Sequence, residues 1–491
     1  MNSAAIPGIR GRCGAYARAV RQLGAIAGLL WLSACGQPDS VDPPVSPVAA
    51  APEPASSCPT TPLHTTALPG TEPRHATAAF WIDRLPPGVA DQVLVPADAI
   101  AGLNAQFSQV VGAWRSIDDS KIGDRETIDA SIAERMQYLK GEVEAGRFVE
   151  AQPNAFAGAE AIVAAATDVD HQRLVIDETP LRCIPLSGGE SGGLFKVPVD
   201  RDFDRNACAS LHPGERVRVL ARGPKGTWLY VHAGHTVGWV ENAVFSKRLS
   251  PSAIDAWTSP KRLVPVRDDV TTRGGVRVRL GVSLPLLATT EEGDYAVLVP
   301  GPQGPLEDVV AADAAVSEGY KPLTRRTLLE AVFSELGDPY GWGGRAGERD
   351  CSRLVRDVLG TFGFELARHS GVQAKLGVRN VDVSDLEPQA KRAAIRKAAE
   401  GGVVVLYMKG HIMLYVGSDG PSDYAISAMS EYLTPCEGGP DTTHRVDAVA
   451  VSTLALGENT GRTAFIERIL TLVVFEPPEP PDEQTPDAPQ G

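Results

Sequence analysis

The residue best suited to chemistry in this chain of 491 residues is a cysteine that opens a predicted helix. Asp350 can cap this helix and Gly363 can end it, so Cys351 falls in the first turn. The apolar stripe lies elsewhere on the helix, at Leu354, Val355, Val358, Leu359 and Phe362. A thiol at a helix N-terminus faces unpaired N–H groups and positive potential, which favour the thiolate. The position therefore predicts a nucleophile rather than a packed core cysteine.

A nucleophilic cysteine needs a base, and three histidines compete for this role. His411 opens a predicted strand that follows the buried apolar run 403–408. A ring at that position can face a helix N-terminus that packs on the sheet. His369 and His444 are rivals, but both lie in turn-rich sequence that fixes a ring poorly. The pattern therefore favours His411 as the group that accepts the thiol proton.

The N-terminus indicates secretion. Arginines precede a short apolar run at 23–32, which is too short for a span of about 20 residues. The sequence Leu32-Ser33-Ala34-Cys35 then resembles a bacterial lipoprotein cleavage box. We expect residues 1–34 to be a lipoprotein signal peptide and Cys35 to be acylated; a plain signal peptide with an incidental cysteine is the alternative. The protein is then expected in the cell envelope, anchored in the membrane, on the periplasmic face of the outer membrane.

The remaining chain divides by composition and periodicity. Residues 35–75 are rich in proline and are predicted to be a disordered tether. The proline-rich tail 477–491 is predicted to be disordered as well. Residues 76–165 show helical periodicity. Residues 166–247 and 248–322 alternate with period two between glycine and proline turns, which predicts two small barrels, and residues 323–476 contain the cysteine and histidine.

Charge and cysteine usage exclude several functions. The net charge of −14 argues against a nucleic-acid partner, which needs clustered basic residues. There is no Cys-x-x-Cys pair and no zinc-type spacing, so we expect neither a metal nor another cofactor. Besides Cys351, the body contains four cysteines whose pairing is left open, although Cys183 and Cys208 are able to pair: Cys58, Cys183, Cys208 and Cys436.

Several motifs in fixed order resemble the NlpC-type cysteine peptidases of bacterial cell walls. They are Pro339-Tyr-Gly-Trp-Gly-Gly, Asp350-Cys-Ser, Arg368-His-Ser with Gln373, and His411-Ile-Met-Leu-Tyr-Val-Gly, within about 325–475. Gly226-Thr-Trp-Leu-Tyr-Val and Gly238-Trp-Val resemble bacterial SH3-like domains, and the whole order is similar to a lipoprotein subgroup of the family. The resemblance implies an α+β fold with a papain-like domain, whose cysteine helix packs on an antiparallel sheet.

The resemblance also implies roles for individual residues. Cys351 becomes the nucleophile, His411 the base, and Ser427 the third polar group that orients the imidazole. Ser427 stands where the subgroup usually has histidine, and Arg353 stands where a small residue is usual; its side chain either points to solvent, narrows the cleft or binds a substrate carboxylate. The residues expected to contact substrate are Tyr340, Asp350, Ser352 and Arg368.

The implied activity is hydrolysis of peptidoglycan stem peptides, typically between γ-D-glutamate and a diamino acid. The protein is expected to be a monomer. The alternative is a peptidoglycan-binding lipoprotein with a weakened or inactive peptidase domain, and an acyltransferase or amidase on the same fold is a third reading. In related enzymes an SH3-like module walls the cleft and favours stems with a free N-terminal L-alanine. The acidic chain suits such an amine.

Overall fold

The computed structural model describes residues 58–186 and 193–477. Several predicted features lie outside these residues: the signal peptide, the expected acylation site Cys35, the first part of the tether and the tail beyond Pro477. The described chain contains helices and mostly antiparallel sheets in separate blocks, so the predicted α+β class is confirmed. Within the described residues, no helix has both the length and the apolar character needed to cross a membrane.

The segment predicted to be helical contains four helices and one short strand. They are α1 Ala78–Asp83, α2 Ala97–Phe107, α3 Arg125–Glu144, β2 Phe148–Glu150 and α4 Ala155–Ala164. Asp124 caps α3 by accepting a hydrogen bond from the backbone N–H of Thr127. Ile128 and Ile132 of α3 pack against Trp228 and Trp239 of the barrel that follows, so the segment is fixed to that barrel by apolar burial.

The first β module contains a six-stranded sheet with the order β3-β8-β9-β10-β4-β7. Two further strands, β5 and β6, join β2 in a separate three-stranded sheet. The strands are β3 Thr167–Leu174, β4 Thr179–Arg182, β5 Leu194–Lys196, β6 Asp200–Asp204, β7 Ala207–Leu211, β8 Arg216–Arg222, β9 Trp228–His232 and β10 Val237–Glu241. A disulfide joins Cys183 to Cys208, the pair considered from the sequence.

The second β module has a five-stranded sheet with the order β16-β15-β14-β11-β17 and a separate β12-β13 hairpin. Residues 275–281, part of the stretch predicted to alternate with period two, contribute only the two-residue strand β13. The elements are α5 Pro251–Trp257, β11 Arg262–Pro265, β12 Val270–Thr271, β13 Arg277–Val278, β14 Leu284–Thr289, β15 Tyr295–Gly301, β16 Gly304–Val310 and β17 Val316–Glu318.

The C-terminal block is a seven-stranded sheet with helices on both faces. The strand order is β1-β22-β21-β20-β19-β23-β18, in which β1 is Leu63–His64. The other elements are α6 Arg325–Phe333, α7 Cys351–Gly360, α8 Ser370–Gln373, β18 Arg379–Asp382, α9 Pro388–Gly401, β19 Val403–Met408, β20 His411–Asp419, β21 Ser422–Thr434, β22 Thr442–Thr453, α10 Phe465–Arg468 and β23 Ile469–Phe475.

The two faces of strand β20 build two cores. Ile412 and Leu414 pack in one apolar cluster with Leu354 and Val358 of α7. Met413 packs on the other side in a second cluster, with residues of α9 and α10. This alternation follows from the period of two along a strand, and it places the cysteine helix on one face of the sheet.

The C-terminal part of the predicted tether, residues 58–75, is ordered. Cys58 forms a disulfide with Cys436, and β1 pairs in parallel with β22, where Leu63 lies opposite His444. His75 is buried, and its Nε2 lies 3.1 Å from Asp419 Oδ2. The proline content of this stretch indicated disorder, but backbone pairing with a distant sheet edge and a long-range disulfide order residues 58–75.

Candidate active site

A closed polar network fixes the first turn of α7. The Asp350 carboxylate accepts hydrogen bonds from the backbone N–H of Arg353 at 3.0 Å and from Ser352 Oγ at 3.1 Å. Arg368 donates to both Asp350 and Ser352 Oγ. Burial alone would raise the pKa of Asp350, but the Arg368 guanidinium and these hydrogen bonds hold it below its usual value. The network therefore sets the position of Cys351.

Three of the four residues expected to contact substrate belong to this network. Asp350, Ser352 and Arg368 line the groove described below, but they bond to one another beneath Cys351. Gln373 adds support, because its Nε2 donates to the Ser352 carbonyl at 2.9 Å. The structure thus shows a supporting role for these side chains, and their contact with substrate stays a prediction.

The Cys351 thiol is half-buried, and among the described residues it is the one cysteine outside a disulfide. Burial, reinforced by the Asp350 carboxylate, raises the pKa of Cys351 to about 12. Hydrogen bonds from the backbone N–H groups of Ile412 and Ser352 to the sulfur act in the opposite direction. Burial thus opposes the thiolate that the helix N-terminus favours, and the resting ionisation state of Cys351 stays a prediction.

His411 is held by the serine that the sequence assigned to it. Its Nε2 lies 3.0 Å from Ser427 Oγ, which is almost fully buried on β21. The ring also packs against Phe465, with 5.7 Å between centroids. Burial, reinforced by the positive charge of Arg468, lowers the pKa of His411 to about 4. The imidazole is therefore neutral at pH 7.

The ring orientation assigns a role to each nitrogen of His411. A neutral imidazole carries one N–H and one lone pair. When Nε2–H donates to Ser427 Oγ, the lone pair lies on Nδ1, which is then the nitrogen able to accept a proton. Ser427 is thus placed to orient the ring, and its part in catalysis stays a prediction.

Cys351 and His411 line one groove with a volume of about 1090 Å³. Its walls also include residues of α3 and of the first β module. Tyr340 lies in this groove, and burial together with the nearby Asp350 and Cys351 raises the pKa of its phenol, which stays protonated. The thiol, the imidazole and Tyr340 are therefore within one concave site.

The rival histidines have other roles. His369 lines the groove, but it caps α8, where its side chain accepts a hydrogen bond from the backbone N–H of Gly371. His444 stacks on Tyr432 and lies 2.9 Å from Thr434 Oγ1. Of the three histidines, only His411 combines a place in the groove with a buried hydrogen-bond partner for its ring.

Arg353 does not point to solvent, nor does it line the groove. Its guanidinium is fully buried and donates to Asp357 at 2.8 Å and to the Ser210 carbonyl of β7 at 2.8 Å. Arg356, on the same helix, bonds Glu215 of the first β module. All three expectations for Arg353 are therefore corrected: it joins the cysteine helix to the first β module.

The glycine-rich loop of the sequence motif makes a second contact with the same barrel. Gly343 and Gly344 have positive φ angles of 62° and 85°, and an added Cβ would collide with Ala207 and Ser210 of β7. Trp342 Nε1 donates to the Asp204 carbonyl at 3.0 Å. The first β module thus packs against the loop that precedes Cys351.

A buried ionic cluster, for which the sequence contains no local signal, lies behind α7. The Arg349 guanidinium bonds three carboxylates, those of Glu335 at 2.6 Å, Asp268 at 2.7 Å and Asp357 at 2.9 Å. Asp268 belongs to the second β module, so one arginine links that module to α7 and to the segment that follows α6. Glu335 and Asp268 also lie close to Asp338, but Arg349 already bonds both of them.

We expect slow alkylation of Cys351 at neutral pH. A thiol with a pKa of about 12 is ionised at pH 7 to only about 10⁻⁵. Because the thiolate is the reactive form, the iodoacetamide rate should rise about tenfold per pH unit between pH 7 and 10. Mass spectrometry of the native protein measures this rate, with free glutathione as the reference thiol. A plateau below pH 8 would instead show an ionised resting pair.

Two family models match the chain. Residues 337–424 match the NlpC/P60 family, and residues 194–241 match the SH3 domain of the SH3b1 type. The first range contains Cys351 and His411 and ends before Ser427. Neither model covers the second β module, whose SH3-like character stays a prediction. Among curated proteins, no significant match to this sequence was found.

One of three solved structures, with a TM-score above 0.5, is similar at the level of the fold. An NlpC/P60 endopeptidase from Photobacterium damselae subsp. piscicida is 13% identical, with a TM-score of 0.63, 86% of this chain and 99% of that chain covered. NlpC2 and NlpC1 from Trichomonas vaginalis are 14% and 16% identical, both with a TM-score of 0.22, covering 58% of this chain and 97% and 92% of theirs. The cysteine on a helix, the histidine on a strand and both family matches lead to one conclusion: residues 337–424 of this chain are similar to the NlpC/P60 family, and the residues 194–241 that precede them are similar to an SH3 domain of the SH3b1 type.

Proposed function

We propose that this protein is a thiol-dependent hydrolase of peptidoglycan stem peptides that cleaves the bond between γ-D-glutamate and the diamino acid. The observation that carries the proposal is the shared groove of Cys351 and His411, in which Ser427 holds the imidazole. Incubation of the purified protein with defined muropeptides, followed by mass spectrometry, tests it. Release of a fragment that begins with the diamino acid is the expected result.

The proposed reaction begins with a neutral Cys351 thiol and a neutral His411 imidazole. The Cys351 thiol transfers its proton to Nδ1 of His411 as the sulfur attacks the scissile carbonyl carbon, and a tetrahedral intermediate forms. The positive charge that develops on the imidazole is stabilised by hydrogen bonding to Ser427. The backbone N–H of Cys351, at the N-terminus of α7, is the expected donor to the oxyanion. His411 then protonates the leaving amine, and water hydrolyses the thioester.

The proposal includes a lipid anchor at Cys35 in the cell envelope, on the periplasmic face of the outer membrane. Its support is the cleavage-box sequence before Cys35. In cells, Cys35→Ala should move the protein from the membrane fraction to the soluble fraction and remove labelling by a radioactive fatty acid. Unchanged labelling of the variant would contradict the anchor at this position.

We expect Ser427→Ala to lower kcat of stem-peptide cleavage by about tenfold to a hundredfold, with little change in KM. The substitution removes the hydrogen bond that orients the His411 ring but leaves the thiol and the groove in place. Steady-state kinetics on a muropeptide measure the effect.

Ser452→Ala is the matched control for this change. Ser452 is buried on β22, beside Ala425 of the same sheet, and its Oγ has no hydrogen-bond partner among the described residues. Its removal should leave kcat unchanged. Equal losses in both variants would mean that Ser427 acts only through packing.

The second candidate function is binding of peptidoglycan by a weakened peptidase domain. Burial of the thiol favours it, because a pKa of about 12 leaves little thiolate at neutral pH. Muropeptide binding without measurable turnover, combined with an alkylation rate that His411→Ala does not change, would support this reading. Turnover that requires both side chains would reject it.

A further inference from the structure

The charge of the groove is opposite in sign to that of the chain. The chain has a net charge of −14, but six arginines and three carboxylates line the groove among the described residues. Asp350 bonds Arg368 and Glu431 bonds Arg462, so two of the three carboxylates already have counter-ions. One glutamate and four arginines remain, and these are Glu134, Arg115, Arg135, Arg205 and Arg468.

Arg135 of α3 is the most unusual of these arginines. Its Nη1 donates to the disulfide sulfurs, at 2.7 Å from Cys208 Sγ and 3.8 Å from Cys183 Sγ. Sulfur is a weak acceptor, and no carboxylate in the described part of the chain forms an ion pair with Arg135. Burial lowers the pKa of this guanidinium, with small opposing contributions from Tyr230 and Glu134. A half-buried cation without a counter-ion is unfavourable, and a bound anion would neutralise it.

Arg205 lines the same groove and contacts Tyr138, which lies on α3 three residues after Arg135. Its Nη2 donates to Tyr138 Oη, and its guanidinium packs over the Tyr138 ring at 5.0 Å and the Trp342 ring at 5.9 Å. Within the residues that the structure describes, Arg205 also forms no ion pair with a carboxylate. Stacking on two rings holds the planar guanidinium in place without neutralising it.

The positive potential of both arginines reaches the floor of the groove near Cys351. Burial first, and then the charges of Arg205, Arg368 and Arg135, lower the pKa of His369, which lines the groove. Asp350 opposes them weakly. The two guanidiniums therefore act on the same part of the groove from α3 and from the first β module.

We propose that Arg135 and Arg205 form a subsite for a carboxylate group of the peptide substrate. The inference rests on the proposed hydrolase function, because it assigns the substrate to this groove. A guanidinium donates two parallel hydrogen bonds to a carboxylate, and the excess of arginines favours peptides whose carboxylates are free. The acidic composition of the chain had pointed to recognition of an amine, whereas the groove itself favours anions.

Binding measurements with a catalytically inactive protein test the subsite. We would titrate the full mature chain carrying Cys351→Ala with a stem peptide whose carboxylates are free, and with the same peptide amidated. Calorimetry should show that the free acid binds about tenfold tighter or more. Adding Arg135→Gln or Arg205→Gln should reduce this preference to about threefold or less, whereas Arg135→Lys, which keeps the charge, should preserve part of it.

Arg125→Gln is the matched control, because Arg125 lies on the same helix but bonds Asp129 and Asp168 on an exposed surface. It should leave the preference unchanged. The proposal is overturned if both glutamine variants keep the full preference, or if each weakens acid and amide equally. Cleavage by the protein with Cys351 intact is measured separately, so that loss of the hydrolase proposal and loss of the subsite are distinguishable.

Discussion

Cys351→Ala should lower kcat/KM for stem-peptide cleavage by about 10⁴-fold or more, because it removes the atom that forms the covalent intermediate. The groove and the network of Asp350, Ser352 and Arg368 are built from other atoms and should persist. Substrate should therefore still bind. Release of the diamino-acid fragment, followed by mass spectrometry over long incubations, measures the residual rate.

Cys351→Ser distinguishes loss of the thiol from loss of side-chain volume in this experiment. A serine hydroxyl has nearly the same volume but a much higher pKa, and the lowered pKa of His411, about 4, makes the imidazole a weak base. We therefore expect the serine variant to be almost as inactive as the alanine variant. Cleavage that continues at the parental rate in the alanine variant would rule out a thiol mechanism.

Arg349→Met should destabilise the folded chain by about 3–5 kcal/mol. The substitution removes the guanidinium that bonds Glu335, Asp268 and Asp357, all of which are buried. Burial alone would raise the pKa of Asp357, but Arg353, Arg349 and Arg356 lower it to about 2. Loss of Arg349 thus leaves carboxylates without sufficient counter-charge. Urea unfolding followed by tryptophan fluorescence measures the change in free energy.

Arg326→Gln is the control for an arginine whose ion pair is exposed. Arg326 bonds Asp91, and both side chains are largely accessible to solvent. Exposed pairs contribute about 1 kcal/mol or less, so the variant should unfold close to the parent. A similarly small effect in Arg349→Met would mean that the cluster does not hold the second β module on the cysteine helix.

These two predictions concern different consequences of the same helix. Its N-terminal turn presents the thiol to the groove, and its buried arginines Arg353 and Arg356 bond the first β module. Arg349, just before the helix, bonds the second module. The two β modules are therefore fixed to the helix that carries Cys351.

Local sequence was sufficient for the elements that hold the two reacting side chains. Asp350 was predicted to cap a helix with Cys351 in its first turn, and His411 was predicted to open a strand; both are present. The contact between His411 and Ser427 was implied by the family resemblance; the strand register, with Leu414 opposite Ile426, places Ser427 diagonally across from His411. Capping and the helical stripe depend on residues that are near in sequence, so the sequence determined them.

Only the tertiary structure decided the environment of those side chains. Desolvation raises the pKa of Cys351, although a helix N-terminus by itself favours the thiolate. Arg353 bonds a barrel, and residues 58–75 join a sheet edge, through contacts with residues far away in the chain. The excess of arginines in the groove arises because α3, the first β module and the peptidase domain meet there. Burial, ion pairing and local charge depend on which distant segments come together, and neither composition nor periodicity specifies that.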